Sequence, residues 1–246
     1  MSGDGPELAI VVPVYNEPDN IGPALRRIGA SVRTTHEVLV VHDFDEDTTV
    51  PVVRGLQGEM PSVRLHRNDL GRGVLNAMRA GIAVSRAPFV VISMADGSDE
   101  VELVDRMVEL ARRGADVVAP SRYMPGGRQI GGPWLKGALS RLAGLTMYWV
   151  GGLPTRDPTN NFKLYSRRLL DTVTIESTGG FELALELTVK AHLAGRRVVE
   201  LPATWRDRVA GESRFRLAQW LPRYLRWFFH LFLGRRSRPG GVRTGA

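Results

Sequence analysis

Apolar runs bounded by turn residues alternate with amphipathic segments through the first half of the chain. Apolar residues recur at helical spacing over 21–30, 74–84 and 101–113, which predicts three helices. Short apolar runs predict five strands, at Leu8–Val14, Val38–Val41, Val63–Leu65, Phe89–Ile92 and Val117–Ala119. Strands and helices that alternate in this way are typical of a mostly parallel sheet covered by helices on both faces. The pattern therefore predicts an α/β fold.

The alternation changes after Arg122, where a second part of the chain begins. The pattern there predicts a glycine-rich loop at 125–132, a helix at 134–150, a polar loop at 151–161, a helix at 181–193 and a last strand at 197–205. The sequence shows no internal repeat and no low-complexity tract. We expect one folded domain over 1–214, an amphipathic helix over 215–234 and a disordered basic tail over 235–246.

The segment 215–233 carries one narrow polar stripe within a bulky apolar sequence. Its polar residues recur at steps of three and four, at Arg216, Gln219, Arg223, Arg226 and His230. A helix here would be apolar over most of its circumference and basic along one line, which suits a helix lying in a membrane interface. The alternatives are a terminal helix packed on the core and a dimer contact, and Pro222 would kink the helix or mark its start.

Composition narrows the class of protein. With 246 residues and 43% hydrophobic content, the chain can bury one substantial core. It has no cysteine, which excludes disulfides and thiolate metal sites, and its five histidines show no zinc spacing. Residues 1–7 lack the apolar run of a signal peptide, and no uncharged apolar stretch reaches the ~20 residues that cross a bilayer, so we expect a location on the cytoplasmic side.

The net charge of +7 and the sequence pI near 10.3 imply an anionic partner. Nucleic acid, a phosphorylated small molecule and a membrane surface are the three candidates. The basic residues gather at the C-terminal helix and tail and are not interleaved through the predicted sheet. This distribution argues against nucleic acid.

Carboxylates cluster directly after two of the predicted strands. Ser93–Glu100 holds three of them after Phe89–Ile92, and His42–Thr48 holds four after Val38–Val41. Open α/β sheets bind ligands at the carboxyl ends of their strands, and hard cations take oxygen ligands, so we expect a binding site here. A carboxylate can also accept the ring N–H groups of guanine or uracil, which gives Asp43 a base-reading role. The alternative is that these clusters only cap the helices that follow, with Ser98, Asp99, Asp47 and Thr48 as cap types.

The turn after the first strand disfavours a dinucleotide-binding fold. That strand runs into Pro13-Val14-Tyr15-Asn16-Glu17 with no glycine, whereas a dinucleotide fold places Gly-x-Gly-x-x-Gly at this turn. Gly71-Arg72-Gly73 lacks the third glycine of such a signal. Because it opens a predicted helix, it can still meet a phosphate.

Seven motifs occur along the chain in a fixed order. They are Pro13-Val14-Tyr15-Asn16-Glu17, Asp43, Gly71-Arg72-Gly73, Ala95-Asp96, Ser121-Arg122-Tyr123, Asp157-Pro158-Thr159-Asn160-Asn161-Phe162-Lys163, and Arg208 with Gly211-Glu212-Ser213-Arg214. Over roughly residues 8–215 the chain therefore resembles the family 2 glycosyltransferases of GT-A fold, specifically the dolichyl- or polyprenyl-phosphate mannosyltransferase-like branch. The resemblance implies a Rossmann-like sheet and a sugar nucleotide as substrate.

The resemblance also implies roles for individual positions. It implies that the sugar nucleotide is bound by Pro13, Tyr15, Asn16, Glu17, Asp43, Gly71, Ala95, Asp96, Arg208 and Arg214. The phosphate of a lipid acceptor would lie against Arg122, Lys136 and Ser140, and Asp96 and Arg122 would be the catalytic pair. Lys136 stands where arginine is more usual, which keeps the charge but loses the bidentate fork.

A divalent metal, Mg²⁺ or Mn²⁺, is implied on the donor diphosphate, with Asp96 as its ligand. The family has an Asp-x-Asp element here, and this chain departs from it, because Met94 occupies the first acidic position. Ser98 occupies the position of a later metal-contacting glutamine. We expect metal binding weaker than is usual in the family, or substitution of the missing ligand by Asp99.

The implied substrates determine the expected chemistry. A phosphomonoester is largely ionised near neutrality, since its second pKa is about 6, so no side-chain base is required. Arg122 and Lys136 need only hold this anion for in-line attack on the anomeric carbon, which predicts inversion. We expect GDP-mannose as donor, a polyprenyl or dolichyl phosphate as acceptor, and a peripheral membrane surface or membrane protein as partner. The alternatives are UDP-glucose or another donor, a non-lipid acceptor, and a non-catalytic basic scaffold.

Overall fold

The computed structural model describes residues 5–207 and 217–236, with side chains of the last helix described over 221–234. The strands are β1 (Leu8–Pro13), β2 (His36–His42), β3 (Val63–Arg67), β4 (Phe89–Ile92), β5 (Val117–Ser121), β6 (Arg128–Ile130), β7 (Lys163–Ser166), β8 (Val198–Pro202) and β9 (Thr204–Arg206). The helices are α1 (Pro18–Ser31), α2 (Thr49–Leu56), α3 (Val74–Val84), α4 (Val104–Arg112), α5 (Trp134–Trp149), α6 (Arg167–Leu170), α7 (Leu183–Leu193) and α8 (Leu217–Arg236). One 3₁₀ turn, Val101–Leu103, leads into α4.

The main sheet has seven strands in the order β3-β2-β1-β4-β7-β5-β8. Neighbouring strands run parallel except at β7, which is antiparallel to both β4 and β5. β6 and β9 form a separate two-stranded parallel sheet. The prediction of a mostly parallel α/β sheet flanked by helices is confirmed, and the structure adds one antiparallel strand.

Helices cover both faces of the sheet because the side chains of β1 alternate between two cores. Leu8, Ile10 and Val12 pack in one core with residues of α1, α2 and α4. Ala9 and Val11 face the other core, with residues of α3 and α7. All six residues of β1 are buried, as expected for a central parallel strand. Because β1, β2 and β4 run parallel, their carboxyl ends reach one edge of the sheet together.

The single strand predicted at 197–205 is two strands, β8 and β9. The break lies at Ala203, whose N–H donates to the carbonyl of Ser121 and whose carbonyl accepts from the N–H of Arg128, both at 3.0 Å. Ala203 thus joins the end of β5 to the start of β6, and β9 leaves the main sheet to pair with β6. The prediction of one strand was wrong here because the sequence of a strand does not show which neighbouring strand it pairs with.

Four short elements of the structure fall outside the predicted pattern: β6, which lies within the glycine-rich loop predicted at 125–132, α6, β7 and α2. β7 is four residues long and begins with Lys163, so it has little apolar periodicity, yet all four residues are buried. α2 follows the acidic segment His42–Thr48, and the sequence indicated it only as a helix that this segment could cap. Short elements of this kind gain their stability from contacts with distant segments rather than from a local pattern.

The last helix, α8, packs one face on the domain core and exposes the rest. Trp227 and Leu231 are buried with Met147 of α5 and Leu185 of α7, and the Trp227 indole N–H donates to the Ser177 hydroxyl at 3.1 Å. This packing is the alternative of a terminal helix against the core, and the expected contact of the helix with a membrane interface stays a prediction. No described helix is long and apolar enough to cross a membrane.

The bounds of α8 also change the predicted C-terminal division. The helix extends over Leu217–Arg236, so the tail predicted from Arg235 begins inside it. Pro222 lies within the helix rather than at its start. Residues 208–216, which include Arg208, Arg214 and Arg216, lie outside the described residues, as do 237–246. The division of the chain at residue 214 stays a prediction.

Candidate active site

A cavity of about 720 Å³ opens at the carboxyl ends of β1, β2 and β4 and continues to α5. Its donor side is lined by six of the predicted residues, Pro13, Tyr15, Glu17, Asp43, Ala95 and Asp96. Its acceptor side is lined by the three residues predicted to bind the acceptor phosphate, Arg122, Lys136 and Ser140. One continuous cavity thus brings together the two sets of residues that the resemblance implied.

Asp43 lies at the end of β2 with both carboxylate oxygens already engaged. One oxygen accepts from the Asn68 amide at 2.7 Å, and the other accepts from the backbone N–H of Gly73 at 2.8 Å. These contacts fix the carboxylate, and each oxygen keeps a second lone pair that can accept from a ligand. Asn68 had no role in the sequence analysis, because its contact with Asp43 depends on the pairing of β2 with β3.

Aromatic and cationic side chains lie beside Asp43. The rings of Tyr15 and Phe44 meet edge to face with centroids 5.5 Å apart. The guanidinium of Arg72 lies over the Phe44 ring, 5.0 Å from its centroid. A planar base that enters this side of the cavity would meet a half-exposed tyrosine ring and a carboxylate held for hydrogen bonding.

Asn16 and Gly71, both among the described residues, do not line the cavity. The backbone N–H of Asn16 donates to the Asp47 carboxylate at 3.1 Å, and its side-chain oxygen accepts from the N–H of Thr48 at 3.1 Å. Asn16 has a positive φ of 52°, a conformation that asparagine tolerates better than most residues. The carbonyl of Gly71 accepts from the Asn68 amide at 2.7 Å. Both residues therefore support the loops that line the cavity.

Asp47 fulfils the alternative role considered for the first acidic cluster. One of its carboxylate oxygens accepts from the N–H of Thr49 at the start of α2, at 2.8 Å. Asp47 is fully buried and also holds the backbone of Asn16. This carboxylate is therefore committed to joining the loop after β1 to α2.

The second acidic cluster is organised by Asp99, which turns back toward β4 rather than capping the helix that follows. One oxygen of Asp99 accepts from the Ser93 hydroxyl at 3.1 Å and from the N–H of Met94 at 2.8 Å. Asp96 accepts from the N–H of Ser98 at 3.1 Å. Burial, together with the charge of nearby Asp96, raises the pKa of Asp99 to about 7. Neither Ser98 nor Asp99 caps the turn at Val101 with its side chain.

The residues at this loop fit a metal that is held mainly by its substrate. Asp96 and Asp99 both line the cavity, and no group of three or more histidine or carboxylate ligands occurs among the described residues. Mg²⁺ commonly takes one or two carboxylates together with phosphate oxygens and water. Met94 offers only a thioether, which is a poor ligand for a hard cation. For such a metal, the described residues would supply only part of a coordination shell.

Arg122 is held at the end of β5 by a buried carboxylate that the sequence analysis did not assign. Asp157 accepts from Nε of Arg122 at 2.6 Å, from Nη2 at 2.8 Å and from its backbone N–H at 3.1 Å. Nη2 also lies 3.5 Å from the Ser140 hydroxyl, which is 2.7 Å from that of Thr159. Burial opposes the charge of Arg122, but Asp157 outweighs it and raises the pKa of Arg122. The pairing fixes the guanidinium at the cavity wall.

Lys163 anchors the loop that carries Asp157. This lysine is fully buried, and its ammonium donates to the carbonyls of Asp157 at 3.2 Å and Pro158 at 3.1 Å, and to that of Asn160. Burial lowers the pKa of Lys163 to about 7. The motif residues Asp157 and Lys163 thus act together, one on Arg122 and the other on the backbone of the same loop.

The sequence analysis did not identify two further aromatic residues that line the acceptor side of the cavity. Trp205 of β9 lines the cavity, with its ring centroid 6.0 Å from the Arg122 guanidinium. Tyr224 of α8 also lines the cavity. Their positions depend on the β6–β9 sheet and on the packing of α8, and neither of these leaves a local signal.

The chain is similar to known glycosyltransferases in both sequence and structure. The model of the family described as "Glycosyl transferase family 2" matches residues 9–174. An undecaprenyl-phosphate mannosyltransferase of Micrococcus luteus is 34% identical, with 83% of this chain and 85% of that protein covered. The polyprenol monophosphomannose synthase of Mycolicibacterium smegmatis is 29% identical, with 86% and 85% covered.

Solved structures show the same fold. A mannosyltransferase from Pyrobaculum calidifontis, in complex with GDP-Man and Mn²⁺, has a TM-score of 0.64 at 18% identity, covering 97% of this chain and 66% of that one. A glucosyl-3-phosphoglycerate synthase from Mycobacterium tuberculosis, with Mn²⁺, UDP and phosphoglyceric acid, has a TM-score of 0.67 at 17% identity, covering 96% and 80%. The chain is a glycosyltransferase of GT-A-like fold, and it belongs to glycosyl transferase family 2, in the polyprenyl-phosphate mannosyltransferase-like branch.

Proposed function

We propose that this glycosyltransferase moves a hexose, mannose from GDP-mannose, to a polyprenyl phosphate with inversion at the anomeric carbon. The observation that carries the proposal is the single cavity that joins Asp43 and Asp96 to Arg122, Lys136 and Ser140. The names of the Micrococcus and Mycolicibacterium relatives support a polyprenyl phosphate as acceptor. The GDP-Man of the Pyrobaculum structure supports the donor.

On the donor side, the chain's residues bind and orient the nucleotide. Asp43 accepts from ring N–H groups of the base, and Tyr15 packs against the base. Asp96, with Asp99 beside it, would hold a divalent metal that neutralises charge on the diphosphate leaving group. Glu17 lines the same side of the cavity.

On the acceptor side, the chain's main contribution is to hold a phosphate that is already ionised. Asp157 holds the plane of the Arg122 guanidinium before any ligand binds, so little rotational freedom is lost when phosphate meets it. Lys136 adds a second cationic side chain to the same wall of the cavity, where it attracts the anion. The phosphate oxygen attacks the anomeric carbon from the side opposite the diphosphate, which inverts the centre without a side-chain base.

Location at a membrane is part of the proposal, because a polyprenyl phosphate resides in a bilayer. We place the chain at the cytoplasmic face, as a peripheral protein or bound to a membrane protein. The positive charge of the chain supports contact with anionic headgroups.

A donor panel tests the proposed function. The purified protein is incubated with radiolabelled GDP-mannose, UDP-glucose and related donors, with detergent-dispersed polyprenyl phosphate, with Mg²⁺ or EDTA, and lipid is extracted. We expect label in lipid from GDP-mannose, with the product in the opposite anomeric configuration to the donor. Label from UDP-glucose alone would replace the donor, and label in no lipid from any donor would overturn the proposal.

Two basic residues of α5 provide a matched pair for the acceptor site. Lys136 and Arg141 are both exposed, but of the two only Lys136 lines the cavity. We expect Lys136→Ala to raise the KM for polyprenyl phosphate by about tenfold, the effect of losing one charged contact of about 1.4 kcal/mol. Arg141→Ala should leave KM within twofold. Equal effects of the two substitutions would contradict the assignment of Lys136.

A further inference from the structure

A buried carboxylate lies in the middle of β8 and does not line the cavity. The Glu200 side chain is only 7% exposed, and its residue pairs with Ala119 of the neighbouring strand β5. The adjacent residues Val199 and Leu201 pack in the hydrophobic core. A charge in such surroundings is costly unless it is paired and hydrogen-bonded. The partners of Glu200 therefore indicate its role.

The Glu200 carboxylate binds the segment between α5 and β7. One oxygen accepts from the backbone N–H of Arg156 at 2.5 Å and from the Thr155 hydroxyl at 3.2 Å. The other oxygen accepts from Nη1 of Arg156 at 2.7 Å. Hydrogen bonds to an ionised group are stronger than those between neutral groups. These three contacts with two consecutive residues fix the segment against β8.

The next residue of that segment is Asp157, which holds Arg122. The Thr155 hydroxyl, which donates to Glu200, also accepts from the backbone N–H of Asp157 at 3.1 Å. The Asp157 carboxylate accepts in turn from Nε and Nη2 of Arg122. Arg156 and Asp157 are consecutive and oppositely charged, and they pair with Glu200 and Arg122. Two ion pairs thus lie in series between β8 and the end of β5.

The Arg156 side chain also connects Glu200 to α5. Nη2 of Arg156 donates to the Tyr148 hydroxyl at 3.1 Å, and the guanidinium lies 4.1 Å from the centroid of the Tyr148 ring. The helix approaches the segment closely, because a Cβ at Gly144 would collide with the carbonyl of Arg156. α5 is the helix that carries Lys136 and Ser140 to the cavity. The pair of Glu200 and Arg156 therefore joins β8 to this helix as well.

We propose that Glu200 is a positioning residue for the acceptor side of the cavity, because it fixes the carboxylate that holds the Arg122 guanidinium. An arginine side chain loses rotamer freedom when it binds an anion, and that cost falls when the side chain is already held in one arrangement. Asp157 can hold Arg122 in this way only while its own backbone stays in place. A residue remote from both substrates thereby determines how well an anion is bound.

The inference rests on the proposed function only for the identity of that anion, the acceptor phosphate. The structural step, from Glu200 to Arg122, does not depend on which molecule is bound. A test therefore needs one measurement without substrate and one with it.

Asp116 provides a matched control at the other end of β5. It directly precedes the strand and is buried. Its carboxylate, like that of Glu200, accepts from an arginine side chain, a hydroxyl and a backbone N–H, which here belong to Arg168, Ser166 and Arg197. Glu200→Gln and Asp116→Asn each replace a carboxylate by an amide of nearly the same shape. Any general loss of stability should appear in both variants, whereas a change at Arg122 should appear only in Glu200→Gln.

The Nε–H signal of Arg122 in nuclear magnetic resonance reports its position without any substrate. This N–H donates to Asp157 at 2.6 Å, and its signal is assigned by its absence from the spectrum of Arg122→Lys. We expect exchange of this proton with water to be about tenfold faster in Glu200→Gln, since a hydrogen bond to a charged group is weakened. In Asp116→Asn the exchange rate should stay within about twofold of the wild type.

Kinetics measure the consequence for the acceptor. We expect Glu200→Gln to raise the KM for detergent-dispersed polyprenyl phosphate by about tenfold, while its kcat and its Kd for GDP stay within about threefold of the wild type. Asp116→Asn should change none of these values. A purely structural role of Glu200 would lower Tm and the amount of active protein without separating KM from kcat.

Thr155→Val is a second and milder variant, which also serves if Glu200→Gln does not fold. It removes only the hydroxyl between Glu200 and the N–H of Asp157, and we expect exchange at Arg122 to be about threefold faster. Unchanged exchange at Arg122 in both variants would overturn the positioning role, as would equal changes in Glu200→Gln and Asp116→Asn. Faster exchange with no transfer to any lipid phosphate, in the variants or the wild type, would overturn only the proposed function.

Discussion

In the proposed function, Arg122 and Lys136 contribute in different ways to binding the acceptor phosphate. Arg122 is buried and paired with Asp157 through two nitrogens, so its contribution is a fixed direction for hydrogen bonding rather than uncompensated charge. Lys136 is an exposed residue of a helix and contributes charge at the cavity wall. Replacing arginine by lysine at position 136 therefore costs less than it would at position 122, where the fork geometry is used.

Asp99 makes stability depend on pH. Its folded-state pKa is about 7 and its ordinary value is 3.8, so between these values the folded chain holds a proton that the unfolded chain has lost. The stabilisation from this group is complete below pH about 4 and is lost as pH rises to about 7. The side chain introduced by Asp99→Asn does not titrate. As pH rises from about 4 to about 7, the free energy of unfolding of the wild type should therefore fall relative to that of the variant, by at most about 4 kcal/mol.

Urea unfolding of both proteins in EDTA, at a series of pH values from about 4 to 8, measures this difference. Asp45→Asn, at an exposed carboxylate paired with Arg67, serves as control and should run parallel to the wild type. A constant gap between Asp99→Asn and the wild type over the whole range would show that Asp99 titrates normally.

Met94 is the position at which we expect a substitution to change metal affinity. The substitution Met94→Asp adds a carboxylate to the cavity wall that already carries Asp96, so we expect Mn²⁺ to bind the protein–GDP complex at least tenfold more tightly. Met94→Asn has the same shape and a neutral oxygen, and should gain far less. Calorimetric titration of Mn²⁺ measures both, and equal affinities for the two variants would show that charge at this position does not reach the metal.

At the scale of elements, one loop and one short strand organise the acceptor side. The segment between α5 and β7 carries Asp157 to Arg122 and Thr159 to Ser140, and Lys163 at the start of β7 binds the carbonyls of that segment. β7 itself is inserted between β4 and β5, so the loop is fixed beside the ends of both strands. An antiparallel strand of four residues thereby positions residues that line the acceptor side of the cavity.

The contact of α3 with the sheet depends on Gly81. A Cβ at this position would lie 2.4 Å from a methyl of Val11 and 3.1 Å from one of Val41, so the helix or the strands must shift. We expect Gly81→Ala to lower the free energy of unfolding by about 1–3 kcal/mol, the range for overpacking. Gly55→Ala on α2 is the control, because a Cβ there meets nothing within 4 Å.

Urea unfolding compares the two alanine variants under one set of conditions. Gly55→Ala should stabilise by about 0.5–1 kcal/mol, since alanine loses less backbone entropy in a helix than glycine does. Changes of the same sign in both variants would show that backbone entropy, rather than the approach of α3 to β1, governs position 81.

At the scale of the whole molecule, the parallel strands and most residues that line the cavity were predictable, and the contacts that hold those residues in place were not. Buried parallel strands read as continuous apolar runs, so β1 to β5 could be found locally, and the resemblance identified nine residues that line the cavity. The partners that fix those residues, such as Asn68 and Asp157, are defined by strand pairing and by contacts 25 and 35 residues apart. The packing of α8 on α7 depends in the same way on distant segments.

Nucleotide binding should stabilise the chain as one unit, because the cavity is lined by residues from Pro13 to Tyr224. At one hundred times Kd a ligand adds about 2.7 kcal/mol, which raises Tm by about 5–10 °C in a domain of this size. We expect GDP to give a larger shift than UDP at equal concentration. Asp43→Asn should abolish the difference and Asp45→Asn, two residues further along, should keep it.

Thermal unfolding at increasing nucleotide concentration measures these shifts. Equal shifts for GDP and UDP in the wild type would show that Asp43 does not distinguish the bases, and the donor would then have to be assigned from the sugar alone.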